Sequence, residues 1–288
     1  MQLTRHNNAC ATLEIPSNSN EKLSVMLTSD VHYDSKVCDL DLFAKHLKMA
    51  EETQSPVLIA GDLLDAMQGK HDPRREIEDL KKEYAVSAYY DAIVADCARF
   101  LARFEIPYYI LCLGNHETGV LRNSNTDLLY NVAAKLTDKY KKQAEAMGYW
   151  GYIRFMFKYK NGNGNSSRVL YWHHGAGANA IVTKGIMDAN RQSWVRDADI
   201  ILNGHNHKDY YTSEPVEKLN QRTMMPYNDK VIFLRTPGYK KSCGESLDIA
   251  GFEPEKQRKP TSKGCHYLFL EYHHSYETVE MDIMPKIS

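Results

Sequence analysis

Five short runs of aspartate, histidine and asparagine give this chain its chemical character. Each run directly follows an apolar stretch, and four of the five have a glycine beside the polar residues. The runs are 29–32 (Ser-Asp-Val-His), 61–65 (Gly-Asp-Leu-Leu-Asp), 114–117 (Gly-Asn-His-Glu), 173–175 (His-His-Gly) and 204–207 (Gly-His-Asn-His). Carboxylate, imidazole and amide groups that recur in this way indicate a metal centre.

The apolar stretches before these runs are typical of buried strands. Side chains alternate along an extended chain, so Asp30 and His32, two positions apart at a strand end, should point the same way. Ligands in open α/β sheets gather at the carboxyl ends of strands, where all five runs fall. Each run alone has an ordinary alternative, such as Asp62 capping a helix. The five together favour the metal centre.

The ligand types indicate which metals to expect. Oxygen and imidazole ligands without thiolate suit Mn²⁺, Fe or Zn²⁺. The six cysteines lie far apart with no Cys-x-x-Cys pair, which disfavours a structural zinc site and favours free thiols. Cys112 lies inside an apolar stretch and is expected in the core.

The elements that would position these residues follow from periodicity. Leu40, Phe43, Leu47 and Ala50 recur at helical spacing between the first two strands, which predicts a parallel strand–helix–strand unit. Helical patterns are also expected at 77–104, as one helix or two, at 126–147, and near Trp194. Further strands are expected at 152–159, 230–234, 265–272 and 278–284, with a hairpin turn at 161–167. The Gly-, Pro-, Lys- and Ser-rich segment 239–263 is expected to be a long surface loop.

Length and composition set broad limits. A chain of 288 residues fits one domain spanning 1–288, with a helical insertion at about 66–104. The formal net charge of −1 gives no bulk attraction to nucleic acid or membrane. No apolar run approaches the roughly 20 residues needed to cross a bilayer, and 1–19 lacks the apolar core of a signal peptide. We therefore expect a cytoplasmic protein without a membrane partner, and the oligomeric state stays open.

The order of the motifs resembles the calcineurin-like metallophosphoesterase superfamily. The matching series is Asp-x-His, Gly-Asp-x-x-Asp, Gly-Asn-His-Glu, a lone His, and Gly-His-x-His, running from Asp30 to His207. The resemblance implies an α/β fold with a two-sheet β-sandwich flanked by helices, in four α/β/β/α layers. It also implies a hydrolase with two divalent metal ions, Mn²⁺ first among the candidates, that activate a bridging hydroxide for in-line attack on a phosphate ester.

The resemblance also implies a role for each matching residue. Asp30, His32 and His207 would hold one ion, Asn115 and His205 the other, and Asp62 would bridge them. The lone histidine would complete the second set. A His-Gly match favours His174, whereas a His-x-Pro pattern would favour His173.

Three further roles follow from the same resemblance. His116 would contact the phosphate or protonate the leaving oxygen. Asp65 and Glu117 would orient neighbouring ligands. Glu117 stands where some members have aspartate, a mild departure.

The substrate is less well defined by the sequence. Lys70, His71, Arg74 and Arg75 could form a basic rim, although the interleaved acidic residues make a solvated helix start the favoured alternative. Tyr33, Lys184, Tyr239, Lys240 and Lys241 are further candidates for substrate contact.

Three functional hypotheses follow. The first is a metal-dependent phosphoesterase for a phosphomonoester, a nucleotide or a small diester. The second is a DNA or RNA nuclease of the repair-nuclease branch, against which the near-neutral charge argues. The third is a non-catalytic binding module, which is disfavoured because no ligand of the series is missing.

Overall fold

A computed structural model describes residues 1–17, 20–68, 80–159, 165–175, 196–220, 223–241, 261–273, 275 and 278–288. Within these residues the helices are α1 (Leu40–Glu52), α2 (Tyr89–Leu101), α3 (Asn115–Ser124) and α4 (Leu128–Asp138). The strands up to the first hairpin are β1 (Gln2–Asn7), β2 (Cys10–Ser17), β3 (Glu21–Thr28), β4 (Val57–Ala60), β5 (Tyr109–Cys112), β6 (Ala144–Met147), β7 (Trp150–Tyr159) and β8 (Asn165–His173). The later strands are β9 (Ile200–Asn203), β10 (Tyr210–Asn220), β11 (Met225–Arg235), β12 (Gly264–His273) and β13 (Thr278–Ile287).

The strands form two mixed sheets. The first sheet has the order β1-β2-β7-β8-β9-β11-β10, and the second has the order β13-β12-β3-β4-β5-β6. In the second sheet β3, β4, β5 and β6 run parallel, and in the first sheet β8 runs parallel to β9. The predicted parallel unit of β3, α1 and β4 and the predicted hairpin of β7 and β8 are confirmed.

Alternation along β4 shows how the layers pack. Val57 and Ile59 face the helices and pack in a core with residues of all four helices. Leu58 and Ala60 face the other way, into a second core that is shared with the first sheet. A strand that is buried on both faces needs an uninterrupted apolar run, and β4 has one.

The fold class is therefore confirmed as an α/β sandwich of two sheets flanked by helices. The described helices all contribute to the core on the outer face of the second sheet. The helix expected near Trp194 lies outside the described residues. No helix in the described part of the chain is long and apolar enough to span a membrane.

Several predicted elements need correction. Helix α2 begins only at Tyr89, after a single 3-10 turn at Lys82–Tyr84, so the 77–104 pattern is helical over part of its length. The stretch 126–147 ends as strand β6, which pairs in parallel with β5. The polar N-terminus, for which the sequence predicted no element, forms β1 and β2 at the edge of the first sheet.

The segment 239–263 is not simply a surface loop. Tyr239 is completely buried and Lys263 nearly so, and 242–260 lies outside the described residues. The Tyr239 side chain packs on Phe43, with ring centroids 4.9 Å apart. Tyr239 therefore belongs to the folded core at this edge.

Candidate metal centre

The carboxyl ends of strands from both sheets meet at one edge of the sandwich. On the first-sheet side, the Gly204 N–H donates to the His174 carbonyl at 2.9 Å. The His205 N–H donates to Asp30 Oδ2 at 2.8 Å, across 175 residues of sequence. The predicted ligands that lie here are Asp30, His32, Asp62, Asn115, His174, His205 and His207.

One cluster comprises Asp30, His32 and His207. Their candidate ligand atoms lie within 4.8 Å of one another. His207 Nε2 is 3.5 Å from Asp30 Oδ1, and the rings of His32 and His207 stack with centroids 5.1 Å apart. The cluster offers one carboxylate and two imidazoles to a single ion.

A second cluster comprises Asp62, His174 and His205, again with ligand atoms within 4.8 Å of one another. Asn115 Oδ1 joins it, 3.0 Å from His174 Nε2 and 2.8 Å from His205 Nδ1. The amide oxygen of Asn115 thus lies at the point where the two imidazoles converge.

Asp62 lies between the two clusters. Its Oδ2 atom is 3.1 Å from His174 Nε2 in one cluster and 3.9 Å from His32 Nε2 in the other. Its Oδ1 atom accepts a hydrogen bond from the His116 N–H at 3.0 Å. One carboxylate oxygen is therefore available to both clusters while the other is held by the backbone.

Neighbouring groups fix how the histidine rings face. The Nδ1 atom of His174 lies 2.9 Å from the Ala60 carbonyl oxygen, an arrangement in which Nδ1–H donates and Nε2 faces the second cluster. The Nδ1 atom of His32 lies 2.8 Å from Asp65 Oδ1, and Nε2 faces Asp62. Such partners select the tautomer that a metal-binding imidazole needs.

The electrostatics of the site also suit a cation. Burial, with a contribution from the Lys240 charge, lowers the pKa of His32 to about 3, so its imidazole is neutral at physiological pH. Burial alone would lower the pKa of His174, but the adjacent Asp62 carboxylate outweighs it and raises this pKa to about 10. A divalent cation in the second cluster would take the place of that proton.

The buried atoms of the first cluster test whether an ion fits. Asp30 Oδ1 and His32 Nε2 are both buried without a hydrogen-bond partner in the described part of the chain. A buried carboxylate oxygen and a buried ring nitrogen left unpaired would be costly. An ion bound between them removes that cost, so the residues present fit a divalent metal.

His116 lies beside both clusters. Its Nδ1 atom is 2.5 Å from the Asp65 carbonyl oxygen, and its Nε2 atom lies 3.8 Å from Asp62 Oδ2. His116 also groups with His32 and Asp65 within metal-binding distance. The Nδ1 atoms of His32 and His116 both face Asp65. Asp65 therefore orients the two rings, and this accounts for the third group without a further metal ion.

The residues expected to orient ligands make such contacts. Asp65 faces His32, as described above. Glu117 is completely buried and accepts backbone N–H bonds from Asp62 at 3.2 Å, Leu64 at 2.9 Å and Gly114 at 2.9 Å. Glu117 therefore ties the loop after β4 to the loop after β5, the two loops that carry Asp62 and Asn115.

The structure separates His173 from His174. His174 lies in the second cluster, whereas His173 ends β8 and its Nδ1 atom accepts the Gly175 N–H at 3.0 Å. The adjacent side chains face different ways, as alternation along the strand requires. The geometry favours His174 as the ligand.

Other predicted site residues lie elsewhere. Tyr33 is buried, and its hydroxyl donates to Asp96 Oδ2 at 2.9 Å on α2, which argues against the predicted substrate contact. Its side chain points into the helix-side core, away from His32. Arg74, Arg75 and Lys184 lie outside the described residues, as do Lys70 and His71.

The backbone at five of the seven predicted ligands is left-handed rather than extended. Asp30 (φ 53°), His32 (φ 50°), Asp62 (φ 52°), His205 (φ 71°) and His207 (φ 50°) all have positive φ. The prediction that Asp30 and His32 converge through strand alternation was therefore wrong in its reason, since β3 ends at Thr28. Strained conformations of this kind cluster at functional sites, where the surrounding structure holds them.

Two groups that position Asp30 and Asp65 were not predicted from the sequence. The Ser29 hydroxyl hydrogen-bonds to Asp30 Oδ2 and to Thr236. The Asp34 carboxylate accepts the Asp65 N–H at 2.7 Å. Ser29 directly precedes Asp30, and Asp34 follows shortly after His32. This closeness to a predicted ligand was the one sequence signal available for them.

Gly114 is placed where a side chain cannot fit. A Cβ atom there would overlap Asp62 Oδ1 and the Asp62 amide nitrogen. We expect Gly114→Ala to displace the Asp62 carboxylate and to weaken metal binding by about 10- to 100-fold, the range seen when a ligand's supporting contacts are lost. Calorimetric titration with Mn²⁺ measures this, with Ser124→Ala at the exposed end of α3 as the control. Wild-type affinity in Gly114→Ala would mean that the loop can shift without disturbing Asp62.

A cleft opens beside the second cluster. It has a volume of about 420 Å³ and is lined, within the described residues, by Asn115, Thr118, Leu121, Arg122 and Tyr149. The Tyr149 ring also packs edge-on against His174, with centroids 5.4 Å apart. The cleft connects the metal centre to a wall of α3 that carries both apolar and cationic side chains.

Solved structures with similar folds are distant from this chain. A predicted phosphoesterase from Streptococcus pneumoniae is 15% identical, with 92% of this chain and 90% of that chain covered and a TM-score of 0.29. GAP50, described as the anchor in the inner membrane complex of Plasmodium, is 11% identical, with 91% and 84% covered and a TM-score of 0.37. A Thermotoga maritima protein solved by NMR is 14% identical, with 91% and 98% covered and a TM-score of 0.31. These likenesses are too weak to carry an argument.

Sequence comparison is more decisive at the level of the family. No curated protein matches the chain significantly. The family model described as calcineurin-like phosphoesterase matches residues 23–234, a span that includes both clusters. The chain belongs to the calcineurin-like phosphoesterase family and is a hydrolase that acts on phosphate ester bonds.

Proposed function

We propose that the protein is a binuclear metal phosphoesterase. Asp30, His32 and His207 would hold one ion, Asn115, His174 and His205 would hold the other, and Asp62 would bridge them. The position of Asp62 carries this proposal, because one oxygen atom lies within 4 Å of an imidazole of each cluster.

The bound ions would supply two things. They would make a water acidic enough to lose a proton near neutral pH and so attack phosphorus, and their positive charge would offset the negative charge of the phosphate oxygens. Oxygen and imidazole ligands without a thiolate favour Mn²⁺, with Fe and Zn²⁺ as alternatives. The family relationship supports dependence on a divalent metal.

His116 would assist the leaving group. Its Nδ1 position against the Asp65 carbonyl leaves Nε2 facing Asp62, and the side chain as a whole is 10% exposed. An imidazole held in this way can donate a hydrogen bond to a phosphate oxygen or a proton to the departing oxygen.

We infer a small phosphorylated substrate, either a phosphomonoester, a nucleotide or a small diester. A cleft of about 420 Å³ suits a molecule of this size. The net charge of −1 also argues against the extended basic surface that a nuclease needs. The nuclease alternative is tested by the cleavage of DNA in the experiment that follows.

We expect metal-dependent hydrolysis of a generic phosphomonoester or phosphodiester in Mn²⁺, lost in excess chelator and restored by added metal. The rates for p-nitrophenyl phosphate and bis-p-nitrophenyl phosphate are compared with and without Mn²⁺. Preference for the monoester supports phosphorylated small molecules, and preference for the diester directs the search to cyclic nucleotides and nucleic acids. Salt-sensitive cleavage of DNA would favour the nuclease. A purified protein that binds no metal and hydrolyses neither compound would contradict the proposal.

A further inference from the structure

Lys240 lies in a short segment whose backbone is fixed on both sides. The Tyr239 N–H donates to the Asp30 carbonyl at 3.1 Å, and the Lys241 N–H donates to the Val37 carbonyl at 2.8 Å. The first of these bonds attaches the segment directly to a residue of the first metal cluster. The Cα atom of Lys240 is therefore held in a defined place beside the metal centre.

The neighbouring side chain makes the segment more rigid still. Tyr239 is completely buried, with its hydroxyl 2.8 Å from His46 Nδ1. A buried, hydrogen-bonded tyrosine leaves the main chain little freedom to rotate. Lys240, the next residue, is directed toward Asp65 and the site.

The ammonium group of Lys240 has one partner in the described part of the chain. Its Nζ atom lies 3.2 Å from Asp65 Oδ1, the same oxygen that faces His32 Nδ1 at 2.8 Å. A lysine ammonium has three N–H donors, so this contact leaves two of them for another acceptor. The side chain is 29% exposed, so a ligand in solution can reach it.

The charge of Lys240 is informative because it has the wrong sign for holding metal. A cation near two divalent ions opposes their binding by Coulomb repulsion. The same charge would favour a phosphate group, which carries one or two negative charges and more negative character as its ester bond breaks. Asp65 offsets part of the repulsion while it holds the ammonium in position.

We propose that Lys240 is a catalytic residue whose ammonium group donates a hydrogen bond to a non-bridging oxygen of the substrate phosphate. Asp65 then has two functions, since it orients His32 on one side and Lys240 on the other. This inference rests on the proposed function, because it requires phosphate to bind beside the first metal cluster.

Lys240→Met and Lys240→Arg test the inference, with Lys135→Met as the matched control. Lys135 is an exposed lysine on α4, so its replacement makes the same change of side chain on the surface of a helix. The measurements are the inhibition constant of inorganic phosphate, kcat/KM for p-nitrophenyl phosphate, and bound Mn²⁺ by mass spectrometry. Lys240→Gln repeats the test if the methionine variant does not fold.

We expect Lys240→Met to keep its bound metal, to weaken inhibition by phosphate about 10-fold or more, and to lower kcat/KM about 10- to 100-fold. Lys240→Arg should recover part of both losses, and Lys135→Met should stay within about twofold of wild type. Phosphate inhibition unchanged in Lys240→Met would overturn the inference and leave the proposed function standing. Loss of metal from Lys240→Met would overturn it as well, because Lys240 would then act through Asp65 on His32. A wild-type protein without metal or hydrolysis would instead remove the proposed function, and this inference with it.

Discussion

Asp62→Ala is expected to lose bound metal and activity together, with kcat/KM falling about 10³-fold or more. The carboxylate is 2% exposed and its Oδ2 atom lies within 4 Å of His32, His116 and His174. Its removal takes the shared oxygen from both clusters and leaves buried imidazoles without their counter-charge. Mass spectrometry of bound Mn²⁺ and hydrolysis of p-nitrophenyl phosphate measure the two losses.

Two comparisons separate loss of the site from loss of the fold. Asp62→Asn keeps the size of the side chain and an oxygen that can accept the His116 N–H, so it should fold while it still loses metal. Asp138→Ala replaces an exposed aspartate at the end of α4 and should behave as wild type. Full activity with two bound ions in either Asp62 variant would rule out the bridging role.

His116→Ala is expected to keep both metal ions while turnover falls about 10²- to 10⁴-fold, the usual contribution of a general acid or base. The ring lies beside the clusters but faces Asp65 through Nδ1, so its removal should leave the ligands in place. The decrease should appear mainly in kcat. A substrate with a very good leaving group should lose less rate, because such a group needs little help from a proton.

His273→Ala is the control for His116→Ala. His273 lies near the end of β12, and its side chain is 26% exposed. If His116→Ala retained the wild-type rate on a poor leaving group, the acid role would be wrong. If it lost a metal ion, His116 would have to be counted among the ligands.

The positions of the candidate ligands along the chain were predictable because each motif is a short run of adjacent residues. A run of apolar residues predicts a buried strand, and a glycine beside the polar residues predicts a sharp departure from it. The choice between His173 and His174 was not predictable from the residues alone. It depended on where β8 ends, and strand ends are set by pairing with β9.

The conformation of the ligands was not predictable in the same way. Asp30 and His32 have left-handed backbones, which few non-glycine residues adopt and which no sequence pattern here announced. The cost of about 1 kcal/mol or more for each is borne by contacts from elsewhere, such as the Asp30 N–H bond to the Gly61 carbonyl. Sequence periodicity carries no information about such contacts between residues that are far apart in the sequence.

Tertiary pairing also overrode local preference at β6. Ala144, Glu145, Ala146 and Met147 are all good helix formers, and the sequence predicts a helix there. The segment instead pairs in parallel with β5 and completes the edge of the second sheet. Local propensity is a weak guide when an open sheet edge is available.

The division of the centre between the two sheets has a consequence for how the protein is made. The second sheet supplies Asp30, His32, Asp62 and Asn115, whereas His174, His205 and His207 follow strands of the first sheet. A chain still being synthesised therefore carries part of the site long before His207 leaves the ribosome. Neither cluster is complete before both sheets have formed and packed, so we expect metal binding to be a late event in biosynthesis. Ions would then be acquired by chains that have already folded, and not by nascent ones.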